Sequence, residues 1–172
     1  EGGSAECDFN VVRANATNEN SKVSIHDWTY GDKEELPSID NSRLNPGSGE
    51  VTYSYHTAEP CIDDNKTSEA NGATETGGVP KNAGTYYVKA TIAATDNYNA
   101  GTATGSFEIK QRPAKITPDN LSKHIGQSDR EFTCTVTGLV NGDKLYGINL
   151  TREPGESAGT YQISVTADKN VN

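Results

Sequence analysis

The chain has 172 residues, of which only 32% are hydrophobic, with 17 glycines and a net charge of −9. That acidity repels phosphate backbones and no basic patch offsets it, which argues against nucleic-acid binding. No apolar run reaches the length that a bilayer span requires, so membrane insertion is not expected.

In chain order, Gly3-Ser4-Ala5 followed by Phe9-Asn10-Val11 repeats Gly101-Thr102-Ala103 followed by Phe107-Glu108-Ile109, with the same spacing from Gly to Phe. The later copy ends a full β unit, so residues 9–13 are expected to be the closing strand of a preceding unit. The chain opens on Glu1 and contains no Met, and is expected to be a processed or excised piece. Residues 22–25 and 28–30 open a first full unit, Gly31-Asp32 turns, and a polar crossing follows to Arg43. Asn45-Pro46-Gly47-Ser48-Gly49 is dense turn chemistry. It delivers a strand with Val51, Tyr53 and Tyr55 on one face. Residues 57–78 form a loop rich in Glu, Asp, Asn and Gly, of a length that in small domains often accompanies function. Strands over 84–94 and 102–110 complete the unit, with Asp96-Asn97-Tyr98-Asn99 turning between them.

The strongest strand pattern lies in this pair. Tyr86, Val88, Ala90 and Ile92 alternate with Tyr87, Lys89 and Thr91, one apolar face and one polar. Ala158-Gly159-Thr160-Tyr161 repeats Ala83-Gly84-Thr85-Tyr86 and leads into Ile163 and Val165, which predicts a second β unit. Gln111-Arg112-Pro113 reads as the linker, since Pro holds its neighbour extended and donates no ladder bond. The second unit starts at Ala114, with strands expected over 131–137, 144–151 and 160–166 and turns at 138–143 and Pro154-Gly155. Lys169-Asn170-Val171-Asn172 echoes the Asn97-Tyr98-Asn99 turn, and the closing strand of this unit is expected to be absent. No segment keeps a helical apolar period for three turns. The fold class is therefore all-β, with residues 1–20 as closing strand and linker, 21–111 as the first unit and 112–172 as the second.

Of three cysteines, Cys134 shares a strand face with Phe132 and Val136 and is expected to be a free thiol, leaving Cys7 and Cys61 as the pair able to bridge. No Cys-x-x-Cys spacing is present. His26, His56 and His124 are scattered without ligand spacing or an adjacent nucleophile and read as ordinary imidazoles. Asp63-Asp64-Asn65, with Glu59 and Glu69, lacks the alternating acids and the Gly of an EF-hand loop, so it reads as a solvated acidic stretch. No catalytic, cofactor-binding or metal residue is expected. Tyr53, Tyr55 and Tyr86 lie on inward alternations, and Tyr87 alone clearly faces out to stack on a sugar ring. The sequons at Asn15, Asn65, Asn120 and Asn149 matter only in a eukaryotic secretory pathway.

One family resemblance covers roughly residues 22–172. The run Thr135-Val136-Thr137-Gly138-Leu139-Val140-Asn141-Gly142-Asp143-Lys144-Leu145, continued by Leu150-Thr151-Arg152-Glu153-Pro154-Gly155-Glu156 and Ala158-Gly159-Thr160-Tyr161-Gln162-Ile163, resembles the MBG domains repeated in large bacterial surface and adhesin-like proteins. The first unit is similar to a longer relative through Trp28-Thr29-Tyr30-Gly31-Asp32, Gly49-Glu50-Val51-Thr52-Tyr53 and Asp96-Asn97-Tyr98-Asn99. The second unit departs at Ile125-Gly126-Gln127, where Tyr-Gly-Asp is expected. The resemblance implies two tandem Ig-like β-sandwich domains, outside a bacterial cell at its surface or secreted, with no catalytic residues. The expected role is a stalk or spacer whose partners are neighbouring repeats. The alternative is a module that binds glycan or host surface protein through the loop at residues 57–78.

Overall fold

A computed structural model describes residues 8–17, 21–40, 44–60 and 76–168, and contains strands and turns with no helix among them. These residues divide into two compact units: those up to Trp28 with Asp32–Lys110, and Thr29–Gly31 with those from Gln111 onward. The all-β class holds. Cys7, Cys61, the sequon at Asn65 and most of the expected loop at 57–78 lie outside the described residues.

The first unit contains β1 (Ala14–Asn15), β2 (Val23–Ser24), β3 (Trp28–Thr29), β4 (Ser38–Ile39), β5 (Val51–His56), β6 (Gly84–Ile92), β7 (Tyr98–Asn99) and β8 (Gly101–Lys110). β3, β8, β6 and β5 form a four-stranded sheet in that order, with β6 antiparallel to both β5 and β8. β2 pairs with β4, and β1 runs parallel to β7. The alternation read in β6 is realised: Val88, Ala90 and Ile92 are fully buried, and Ala103, Phe107 and Ile109 of β8 meet them on the same face.

Phe107 is the centre of this core. Its ring stacks on Trp28 at 4.9 Å and on Tyr86 at 5.8 Å, and meets Tyr55 edge-on at 6.1 Å. Rings offset or crossed in this way add to the apolar burial they share. Gly105 interrupts the large side chains of β8 because a Cβ there would lie 2.3 Å from the Val23 carbonyl oxygen, so β2 packs directly on that backbone. The turn after Leu44 is tied down by Ala16, whose carbonyl accepts from Asn45 N at 3.1 Å and Ser48 Oγ at 3.0 Å.

Several elements differ from expectation. Residues 9–13 carry no strand, and Phe9, Val11 and Val12 are exposed; pairing begins at Ala14, whose N–H donates to Asn97 O at 2.9 Å. The strand expected over 28–30 stops at Thr29, because Gly31 adopts φ +83° in the turn that follows. The turn expected across 96–99 narrows to Asp96-Asn97, since Tyr98 and Asn99 pair with β1 and Thr95 N donates to Tyr98 O at 2.9 Å. Tyr87, expected to face out, is half-buried.

The second unit contains β9 (Lys115–Pro118), β10 (Cys134–Thr137), β11 (Asn149–Arg152) and β12 (Ile163–Thr166), arranged as two antiparallel ribbons, β9 with β10 and β11 with β12. β10, β11 and β12 are shorter than the strands expected over 131–137, 144–151 and 160–166, and β9 is a strand that the sequence reading did not anticipate. Pro118 ends β9, and Asp119 takes over from the ladder by accepting the hydroxyls of Thr133 and Thr135 at 2.7 and 3.3 Å. Each strand alternates half-buried and exposed positions, and none of the unit's described residues is fully buried. Cys134 is a free, half-buried thiol. Tyr30 belongs here: its Oη donates to Asp143 Oδ1 at 3.2 Å, and Arg112 Nε donates to its carbonyl at 2.7 Å.

The two units share a register. Tyr53 opposes Ala90 and Tyr55 opposes Val88, while Leu150 opposes Val165 and Arg152 opposes Ile163. The repeated phrase that aligns β6 with β12 thus also aligns β5 with β11, placing Arg152 where the first unit has Tyr55. Tyr86 Oη donates to Asn82 O at 3.1 Å and Tyr161 Oη to Ser157 O at 2.9 Å, the same i to i−4 hook in both units.

Candidate functional site

The second unit contains a groove of about 1270 Å³. Its apolar walls come from Leu121, Ile125, Phe132, Tyr161 and Ile163, and Arg152 lies along it. The alternation of β11 and β12 puts Arg152 and Ile163 on one face, opposite each other across the ladder. The Arg152 guanidinium covers the Tyr161 ring at 4.9 Å.

Four charges at the groove are paired with one another. Lys123 Nζ lies 2.7 Å from Asp129 and 2.8 Å from Glu156, and Arg152 lies 3.2 Å from Asp129 and 3.0 Å from Glu156. Arg152 Nη1 also donates to the carbonyls of Glu153 and Gly155 at 2.9 and 2.8 Å. Hydrogen bonds from Lys123, joined by Arg152, hold the Asp129 and Glu156 carboxyls below their ordinary range, and those carboxylates push Lys123 up. A guanidinium so engaged is a wall of the groove rather than a free grip for an anion. The arrangement suits an apolar or aromatic insert.

A smaller concavity of about 550 Å³ lies in the first unit at the base of the 57–78 loop, lined by Glu34, Thr57, Lys81, Asn82 and Tyr86 among others. Tyr86 stacks on Phe107 and donates its hydroxyl to the Asn82 carbonyl, so its ring is held in place by the core of the unit.

The histidines are not brought together. His26 and His124 are exposed, whereas His56 is buried, where an ordinary exposed or half-buried imidazole was expected. Its Nε2 lies 2.8 Å from Ser54 Oγ, a pairing that sequence reasoning missed although the two residues are two apart on one strand and so share a face. No group of three or more His, Cys, Asp or Glu side chains arranged to hold a metal occurs among the described residues. Glu59 is exposed, and the rest of the acidic stretch lies outside the described residues.

Residues 114–172 match the family model of the MBG domain, YGX type. The second unit is accordingly an MBG-type domain, and the groove lies within the matched span. No curated protein and no solved structure matches the chain. Inside the MBG-type span the Tyr-Gly-Asp position holds Ile125-Gly126-Gln127, yet the turn survives: Gly126 adopts φ +82°, close to the +83° of Gly31, and Gln127 N donates to His124 O at 3.1 Å. The left-handed glycine carries that turn, and the aromatic is dispensable to it.

Proposed function

We propose that the chain is a pair of tandem Ig-like β repeats from a bacterial surface protein, acting outside the cell as a non-catalytic stalk or spacer. The observation that carries this reading is the shared register of β5–β6 and β11–β12, one of which lies in an MBG-type domain. Repetition of one packing unit is the construction principle of extended arrays, in which reach grows with copy number. Neighbouring repeats are the expected partners. The Ser54–His56 pair is read as a structural hydrogen bond, since burial of His56 withdraws it from substrate.

Glycan-array and host-surface-protein binding measured with the intact chain tests this function. A spacer gives no specific signal. Saturable binding that is lost when residues 57–78 are replaced by a Gly/Ser linker establishes the binding-module reading instead. Turnover of glycan or peptide substrates that is lost in Ser54→Ala overturns the non-catalytic assignment.

A further inference from the structure

Residues 13–17 enter the first unit between two turns and are bonded to both. On one side β1 runs parallel to β7, and Ala14 N donates to Asn97 O at 2.9 Å. Arg13 Nε donates to Asp96 O at 3.2 Å, and Asn99 Nδ2 donates to Asn15 Oδ1 at 3.4 Å. On the other side the Ala16 carbonyl accepts from Asn45 N at 3.1 Å and from Ser48 Oγ at 3.0 Å. Asn45 Nδ2 donates to Asn15 O, and Thr17 bridges to Leu44. Ala16, between the two turns, is fully buried. The turns are also tied to each other, since Thr95 Oγ1 donates to Gly47 O at 3.4 Å and accepts from Tyr98 N at 3.2 Å.

Strand direction decides what this segment does under load. A single residue, Ala100, separates β7 from β8, which then runs to Lys110 paired along its length with β6. Residues 8–13 lie exposed outside any strand, so tension arriving from that side meets its first ladder at Ala14. Pulled backwards at Arg13 and forwards at Lys110, the chain slides β1 against the parallel β7. Bonds that cross from strand to strand are then loaded together, whereas strands drawn apart from one end lose them one at a time.

We propose that residues 13–17 are a shear clamp, which sets how fast the first unit opens when the chain is stretched lengthwise. The proposal rests on the reading of the chain as a spacer, for which holding length under tension is the property that matters. A strand fixed from both sides offers no free edge from which to peel, and forced unfolding follows the rate of opening rather than the equilibrium stability.

The test is unfolding at constant force of the intact chain held between handles at its two ends, for wild type, Ala14→Pro and the double variant Asn45→Ala, Ser48→Ala. Ala14→Pro removes the N–H donated to Asn97 O, and Ala14 is an exposed first residue of a strand, where Pro is tolerated. The double variant removes the side-chain donors to Asn15 O and Ala16 O and leaves β1 itself unchanged. Trp28 fluorescence verifies that each variant is folded. Openings of the first unit are recognised by the greater length of chain they release, since it has more residues than the second.

At a fixed force each variant is expected to open about tenfold faster than wild type, the order set by losing a bond or two from the barrier. Unfolding in urea without force should quicken less. A chain held through its N-terminal handle and Asp96→Cys, with the native cysteines replaced by Ser, should open faster than the same chain held lengthwise, because this pair of points peels β1 from β7. Variants that open at the wild-type rate, equal acceleration with and without force, or equal opening along both axes overturn the proposal. The spacer reading is judged separately, by the binding measurements above, which these rates do not enter.

Discussion

The Arg152 guanidinium lies over the Tyr161 ring at 4.9 Å, at the position where the first unit places Tyr55 opposite Val88. Where the first unit sets the Tyr55 ring against Phe107, the second unit sets a cation over Tyr161, and its charge is paired with Asp129 and Glu156.

Replacing Arg152 with Ala is expected to lower the melting temperature of the second unit, and Arg152→Lys is expected to recover only part of the loss, because a point charge does not reproduce the planar fork that reaches both carboxylates and two carbonyls. Wild-type stability of this unit should fall as salt is added, whereas Arg152→Ala should respond less. Thermal scans at low and high ionic strength, read by tyrosine absorbance or NMR, measure both effects.

Phe107→Ala should be the most damaging single truncation in the first unit. It removes the ring that contacts Trp28, Tyr55 and Tyr86, and a buried Phe→Ala change costs about 3–5 kcal/mol. Trp28 is the only tryptophan and stacks on that ring, so urea titration followed by its fluorescence reports this unit directly. A shift of the midpoint no larger than that of an exposed-site control refutes the central role assigned to Phe107.

Gly105→Ala is expected to destabilise the first unit by about 1–3 kcal/mol, as overpacking does, since the added methyl meets the Val23 carbonyl oxygen at 2.3 Å and backbone must shift. Gly159→Ala is the internal control: no atom lies within 4 Å of its Cβ position, so its effect on stability should be small. Paired urea titrations compare them.

Asp27 links the first unit to pH. The backbone N–H of Glu108 donates to it at 2.8 Å and Lys110 lies 3.3 Å away, and these hold its carboxyl below the ordinary value of 3.8. A depressed carboxyl contributes its stability above that value and loses it as pH falls through the folded value. Stability should therefore decline as pH falls below the ordinary value of 3.8, and Asp27→Asn should flatten that part of the profile while lowering stability at neutral pH. The side chain is partly exposed, so solvent screening keeps the effect modest. Urea midpoints measured across this range check the slope.

Much of this architecture is legible in the sequence because strand alternation is a local property. The faces of β6 follow from Tyr86 through Ile92, and the Ala-Gly-Thr-Tyr phrase by itself locates β12, since identical neighbours impose identical turns and hooks. The free thiol of Cys134 likewise follows from its face. Partnership along a sheet is a different matter, because whether an extended segment becomes a strand depends on an edge far away in the chain. Residues 9–13 carry the same pattern as β8 and yet lie exposed, while Ala14 and Asn15, which show no strand pattern, pair with Tyr98 and Asn99 because Asn97 O accepts the Ala14 N–H. Proximity across the ladder decided the rest: the burial of His56 beside Ser54, and the meeting of Lys123, Asp129, Arg152 and Glu156, residues whose separation in sequence hides that one guanidinium and one ammonium neutralise two carboxylates at a single groove.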